Sequence, residues 1–214
     1  MANANDPISQ REDVRHQVIE VATKAFHSRG IKNVTMDDIA HSLTMSKRTL
    51  YQLFSDKEDL LLACAQQRDA HEEARVEELM QKSNSVFDFL LATFAVKMHE
   101  MEHIHPSFFA EMLKFPRVMQ YLEQQSRERE VAAVEFLNKG KEQGYFRSNV
   151  NFHIVYNQLT AGVEIVLRCE GLTRFTQREL FVNTVIPYVR GCATLKGIEL
   201  IDQFMETFGN EIEW

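Results

Sequence analysis

Apolar residues recur at intervals of three and four along most of the chain, which is the spacing of one face of an α-helix. The pattern runs first from Val14 to Gly30. Two much shorter segments, 36–43 and 47–53, follow it, and a long one then continues from Ser55 to about Met80. Residues 1–10 are polar, and we expect them to be mobile.

Hydroxyl residues stand where three of these helices are expected to begin. Thr35 has Asp38 three residues on, and Ser55 has Glu58, which are capping-box spacings; Ser46 stands before the second short helix. Helices of about two turns are marginal in water by themselves. We therefore expect them to share one core, built from Phe26, Val34, Ile39, Ala40, Leu43, Met45, Leu50 and Phe54.

The rest of the chain also has helical spacing, and few residues that favour turns. Glycine occurs 8 times and proline 4 times in 214 residues, which favours an all-α fold. The predicted helices are 85–103, a short one after Pro106, 118–143, 152–170, 178–195 and 198–208.

The charge and the cysteines narrow the class of protein. The net charge is −7, but residues 1–57 hold 8 basic and 7 acidic side chains, so any affinity for DNA must come from local placement of charge. No apolar run reaches the length of a membrane span and no signal peptide is recognisable. Cys64, Cys169 and Cys192 have no paired spacing, which indicates reduced core thiols. We expect a cytoplasmic protein with no membrane partner.

The helix after Ser46 has the chemistry of a DNA-reading helix. Lys47, Arg48 and Thr49 form its first turn, and in helix-turn-helix proteins the first residues of the second helix contact base edges. Lys57 lies at the start of a later helix, where a cation is unfavourable for the helix dipole, so a facing phosphate would explain it. The alternative is a small helical hairpin with solvated charges.

Residues 11–62 resemble the N-terminal domain of the TetR (tetracycline repressor) family of bacterial regulators. The resemblance is carried by the series Ile19, Ala22, Phe26, Gly30 and by the stretches 34–40 (VTMDDIA), 46–51 (SKRTLY) and 54–60 (FSDKEDL). It implies a three-helix helix-turn-helix domain over 1–57 and an all-helical effector-binding and dimerisation domain over 58–214. Helix four, about 56–81, would bridge the two.

The resemblance also implies roles for individual residues and a mode of assembly. Thr35, Tyr51 and Lys57 match phosphate-contacting positions, while Lys47, Arg48 and Thr49 match base-reading or groove-facing ones, after the cap at Ser46. A homodimer on a double-stranded operator is expected. The last two long helices would form its interface, through Ile165, Val182, Val185, Ile186 and Val189. The alternative for these residues is the internal core of a monomer.

Two positions depart from the family pattern. Thr44 occupies the turn between the two short helices, where the family usually has glycine. A β-branched residue there either changes the turn geometry or carries strain. Arg48 stands where many relatives have glycine, and it adds a cation at the groove.

A small-molecule pocket is expected among helices five to eight. Met and Phe residues suit an adaptable apolar site, and the candidates are Phe94, Met98, His99, Phe108, Phe109, Met112, Met119 and Tyr156. Ordinary core packing is the alternative for each of them. His99 and His103 have a spacing that could hold a metal, but no cysteine or carboxylate pair completes a site, and we expect neither a metal nor a cofactor.

These observations predict a ligand-responsive transcriptional regulator. We expect a repressor that a small, largely apolar effector releases from a palindromic operator. The alternative is a DNA-binding regulator controlled by a protein partner, with no small-molecule pocket. An enzyme is not expected, because no nucleophile–base spacing or glycine-rich phosphate loop is present.

Overall fold

A computed structural model of the chain describes residues 7–168, 172 and 174–209, with side chains for 10–162, 172, 174–176 and 178–207. The helices are α1 Pro7–Arg29, α2 Met36–Ser42, α3 Lys47–Leu53, α4 Lys57–Lys82, α5 Val86–Met101, α6 Phe108–Met112, α7 Pro116–Glu142, α8 Phe152–Arg168, α9 Gln177–Cys192 and α10 Leu195–Gly209. Within the described ranges no helix is long and apolar enough to cross a membrane. The predicted all-α fold is confirmed.

Side-chain caps fix where several helices begin. Thr35 and Asp38 form a complete capping box at α2, and Ser46 Oγ accepts the backbone N–H of Thr49 at α3. Thr176 and Glu179 form a second capping box, at α9. Each box supplies partners for backbone groups that the first helical turn leaves unbonded.

Two predicted helix starts are wrong. Helix α1 begins at Pro7, so residues 7–10 are helical, and proline suits this first position because its fixed φ already matches a helix. At α4 the cap is Asp56, whose Oδ1 accepts the backbone N–H of Asp59 at 2.7 Å. Ser55 instead donates its N–H to Asp59 Oδ2 at 2.9 Å, so Glu58 is not its capping partner.

The predicted boundary between the last two helices is also wrong. Helix α9 ends at Cys192 and α10 already starts at Leu195. Ala193, between them, is extended and forms an isolated β-bridge with Phe146 in the loop after α7. Thr194 N donates to Tyr145 O at 2.9 Å, and Arg147 N donates to Cys192 O at 3.0 Å.

The described chain divides into two compact units. The first contains the residues up to Glu73 together with Ile104–Leu122, and the second contains Ala74–His103 and the residues from Glu123 onward. Residues 104–122, which hold α6 and the start of α7, therefore belong to the same unit as α1, α2 and α3.

One apolar core holds the first unit together. Six of the eight predicted core residues are buried and the other two, Leu43 and Met45, pack against them. Residues of the 104–122 segment join the same core through Phe108, Met112 and Val118. Cys64 lies in it as a free thiol, and burial raises its pKa to about 11. The short helices α2 and α3 thus persist because their apolar faces share this core.

A separate core holds the second unit together. Its fully buried centre includes Phe87 of α5 and Ile201 of α10, and the other buried members are Phe94, Met98, Val134, Phe146, Phe152, Val185, Ile186, Cys192, Ala193 and Phe204. Cys192 is a buried free thiol, as predicted. Cys169 lies outside the described residues.

The turn between α2 and α3 carries a strained residue. Thr44 has φ +52°, the left-handed region that disfavours a side chain with a branched Cβ. Its N–H donates to His41 O at 3.0 Å, and Met45 N donates to Ala40 O at 2.9 Å, which is the hydrogen-bond pattern of a Schellman cap. The turn therefore keeps its usual geometry and Thr44 bears a conformational cost, which resolves the two possibilities left by the sequence.

We expect Thr44→Gly to raise the free energy of unfolding by about 1 kcal/mol, because glycine removes the left-handed penalty. Urea unfolding followed by circular dichroism measures the change. Thr44→Ala is the matched control: it keeps a Cβ and should recover much less. Equal stabilisation by both variants would contradict strain at this residue.

We expect Leu50→Ala to lower the free energy of unfolding by about 2–5 kcal/mol, because Leu50 is fully buried and its loss leaves a cavity. Gln52→Ala, on the exposed side of the same helix, should change it by less than about 0.5 kcal/mol. Urea unfolding of both variants tests this, and similar effects would show that α3 is not held by the shared core.

Candidate DNA-binding site

The first turn of α3 presents exposed polar side chains on a fixed backbone. Lys47, Arg48 and Thr49 are all exposed. Ser46 Oγ accepts the Thr49 N–H at 3.1 Å and lies 2.8 Å from Thr49 Oγ1. Leu50 anchors the helix in the core, while these three side chains are exposed and can contact another molecule.

Lys47 is paired with an acidic side chain on the neighbouring helix. Its Nζ lies 2.5 Å from Asp37 Oδ2, and both side chains are more than half exposed. The hydrogen bond and charge of Asp37 raise the pKa of Lys47. The pair joins the first turn of α2 to the first turn of α3, a contact that no short-range pattern in the sequence indicates.

Tyr51 lies on α3, and Arg11 of α1 lies beside the end of that helix. Tyr51 is 50% exposed, which is unusual for an aromatic side chain of its size. Arg11 of α1 donates from Nη2 to the backbone carbonyl of Gln52 at 3.2 Å. A cation from α1 therefore lies at the end of α3, although α1 was assigned no role from the sequence.

The hydroxyl and the backbone N–H of Thr35 are already hydrogen-bonded to Asp38. The hydroxyl donates to Asp38 Oδ2 at 2.7 Å and accepts the Asp38 backbone N–H at 3.1 Å. The hydrogen bonds from Thr35 hold the pKa of Asp38 below its ordinary value. Its predicted contact with a phosphate stays a prediction.

Lys57 is half-buried, and its ammonium donates to the backbone carbonyl of Ile31. It also lies 5.9 Å from the centre of the Phe26 ring. Removal from water lowers the pKa of Lys57, although Glu111 and Asp38 act in the opposite direction. A structural hydrogen bond therefore gives a second reason for a cation at this helix start, and the phosphate contact stays a prediction.

The 104–122 segment contacts the turn between α1 and α2. Glu111 Oε2 accepts the backbone N–H of Lys32 at 2.7 Å, and His105 N donates to His27 O at 2.6 Å. Gly30 has φ +80°, and a Cβ there would lie 3.0 Å from Ser107 Oγ. Glycine therefore both allows the turn and lets this segment come close.

The same segment contacts the start of α4. Arg117 Nη2 donates to Asp56 Oδ1 at 2.6 Å, and the backbone N–H of Arg117 donates to Glu58 Oε1 at 2.7 Å. These acidic partners raise the pKa of Arg117. The partners are about sixty residues apart in the chain, so no local pattern could have identified Arg117 or Glu111.

The eight candidate ligand residues fall in different units. Phe108, Phe109, Met112 and Met119 belong to the first unit, and Phe94, Met98, His99 and Tyr156 belong to the second. Phe94, Met98, Phe108 and Met112 are buried, His99 is exposed, and the other three are partly buried. Tyr156 Oη donates to the Ser126 carbonyl at 2.9 Å. Their role in binding a ligand stays a prediction.

The candidate interface residues on α9 pack within the second unit. Val185 and Ile186 are buried there, and Val182 and Val189 are partly buried against the same core. The side chain of Ile165 lies outside the described residues. The rings of His99 and His103 are 5.7 Å apart, and no group of three metal-binding side chains occurs in the described part of the chain.

Comparison with known proteins identifies the domain that carries this site. Residues 18–64 match the family model described as bacterial regulatory proteins, tetR family. The HTH-type transcriptional repressor KstR2 of Mycobacterium tuberculosis (strain ATCC 25618 / H37Rv) is 25% identical over 147 residues, which cover 66% of this chain and 74% of that protein. The HTH-type transcriptional regulator HbdR of Aromatoleum sp. (strain CIB) is 42% identical over 50 residues, which cover 23% of this chain and 22% of that protein.

Solved structures share the fold over most of the chain. The ketosteroid transcriptional regulator KstR2 of Mycobacterium tuberculosis has a TM-score of 0.55 at 21% identity and covers 90% of this chain and 97% of its own. A TetR family regulator from Agrobacterium tumefaciens has a TM-score of 0.67 at 14% identity and covers 86% of this chain and 100% of its own. The relatives are named as transcriptional regulators, and residues 18–64 of this chain match the N-terminal domain model of the TetR family.

Proposed function

We propose that the chain is a ligand-responsive transcriptional repressor, which binds a palindromic operator as a homodimer and leaves it when a small, largely apolar effector binds. The observation that carries the proposal is the exposed first turn of α3, with Lys47, Arg48 and Thr49 held on a capped and core-anchored helix. Residues at this position read base edges in helix-turn-helix proteins. Thr35, Tyr51 and Lys57 are proposed to contact the DNA backbone.

Repression, as opposed to activation, is supported by the relative KstR2, which is named as a transcriptional repressor. Two structures that share the fold are associated with different small molecules: a regulator from Saccharomonospora viridis is in complex with choline, and another protein is a gamma-butyrolactone receptor. They support the binding of a small molecule. That this molecule is largely apolar is our own proposal, which rests on the apolar side chains among the eight candidate ligand residues. Control by a protein partner is the second candidate.

We further propose that residues 1–57 form the functional DNA-binding domain and residues 58–214 the effector and dimerisation domain, joined by helix four over about 56–81. Dimerisation would pair two copies of α8 and α9. It would place two recognition helices about 34–36 Å apart, one turn of DNA.

We propose that the effector domain acts on α3, the DNA-reading helix, through the 104–122 segment. Glu111 bonds the turn before α2, and Arg117 bonds the start of α4, after α3. The helix-turn-helix segment lies between these two attachment points in the chain. A ligand that favours one position of this segment would therefore favour one position of α2 and α3, provided that it binds the two states with different affinity.

We expect Arg48→Ala to weaken binding to a selected operator at least about tenfold, because a guanidinium that contacts a base edge is lost. The operator is first obtained by repeated selection from a randomised duplex pool with the wild-type protein, and affinity is measured by fluorescence anisotropy. Lys139→Ala removes an exposed cation on α7 and is the matched control. Equal effects of the two variants would count against Arg48 as a reader.

We expect Arg117→Ala to weaken binding to the same duplex about three- to tenfold, although Arg117 belongs to no proposed DNA contact. The ion pairs of the guanidinium with Asp56 and Glu58 are lost, and only the backbone hydrogen bond to Glu58 remains. Hydrogen exchange over residues 54–60 should speed up in parallel. Arg127→Ala, which breaks an exposed pair with Glu123 on the same helix, is the control. Unchanged exchange and affinity in Arg117→Ala would exclude this attachment point as a coupling element.

A further inference from the structure

The two adjacent carboxylates of α2, Asp37 and Asp38, have different hydrogen-bond partners. Asp38 is bound to the backbone N–H and hydroxyl of Thr35 and closes the capping box. Asp37 takes no part in that cap, and its Oδ2 contacts Lys47 Nζ at 2.5 Å. The helix therefore has its capping carboxylate already, and Asp37 is available for another role.

The position of Asp37 is unfavourable for a protein that binds nucleic acid. In a helix-turn-helix the first helix crosses the DNA backbone while the second enters the groove. A carboxylate in the first turn of α2, more than half exposed, lies on the side from which phosphates approach. Phosphate attraction supplies almost all of the affinity for random DNA, so a carboxylate there lowers that affinity, and it does so most where it neutralises a cation.

The ion pair with Asp37 also makes the positive charge of Lys47 unavailable to phosphates. While Lys47 Nζ is bound to Asp37, the two side chains together carry no net charge. A phosphate that recruits Lys47 must leave the Asp37 carboxylate unpaired beside its own negative charge. A base edge with two acceptors, such as guanine O6 and N7, could bind the ammonium without that repulsion.

We infer that Asp37 is a specificity-determining positioning residue, which withholds Lys47 from phosphates and releases it only to acceptors on a base edge. The inference rests on the proposed function as a sequence-specific DNA binder. In this inference Asp37 weakens the binding of DNA that lacks the operator sequence. A protein can discriminate between sequences in this way as well as by contacts to the right sequence.

The test compares the selected operator duplex with a random-sequence duplex of the same length, over a range of salt concentrations. In Asp37→Asn, affinity for the random duplex should rise on the order of fivefold at 0.1 M salt, and its salt dependence should steepen by about one phosphate contact. Affinity for the operator should change less than about twofold, so that discrimination between the two duplexes falls.

Three further variants isolate the cause. Asp37→Glu keeps the charge and should keep the discrimination. Glu135→Gln makes the same change in net charge at an exposed residue of α7, and it should leave discrimination unchanged. In a Lys47→Ala background, Asp37→Asn should lose most of its effect, because no ammonium is left to release.

The outcomes separate this inference from the proposed function. An effect of Asp37→Asn that is as large in Lys47→Ala as in the wild type, or one no larger than that of Glu135→Gln, would overturn the inference and leave the proposed function standing. A wild-type protein that enriches no duplex from the random pool would overturn the proposed function, and the inference with it. Loss of discrimination in Asp37→Asn alone, with its retention in Asp37→Glu, would support both.

Discussion

The burial of two seven-residue helices in a shared core is the constraint on which the rest of the first unit depends. Helices α2 and α3 are too short to persist alone in water. Leu50 and Ile39 are fully buried, and they hold the polar first turn of α3 outward at a fixed angle. The strained conformation of Thr44 is tolerated because this packing, together with the Schellman hydrogen bonds, determines the backbone around it.

That core is completed by residues from a distant part of the sequence. Phe108, Met112 and Val118 share it with the helix-turn-helix segment, and Glu111 and Arg117 bond the turns at either side. In the proposed coupling, a movement of the 104–122 segment would exchange these hydrogen bonds for others and would shift the helices that it supports.

Local sequence signals identified most of the elements, because caps and apolar spacing act over three or four residues. Thr35 and Ser46 begin helices as predicted, and the bounds of α3 agree residue for residue. Partners far apart in sequence could not be identified this way: Arg117 with Asp56, and Lys47 with Asp37, depend on how helices pack. The cap at Asp56 was missed for another reason, since Ser55 and Asp56 are adjacent and both are good caps.

The net charge of −7 sets a condition on how such a chain can bind DNA. Long-range attraction is weak, so affinity must come from a few cations close to the duplex. Of the cations that we propose to contact DNA, Lys57 donates to the carbonyl of Ile31 and Lys47 is paired with Asp37. Arg48 has no such hydrogen-bond or ion-pair partner among the described contacts. The site therefore presents less available positive charge than its sequence indicates, and this favours dependence on base contacts over dependence on phosphates.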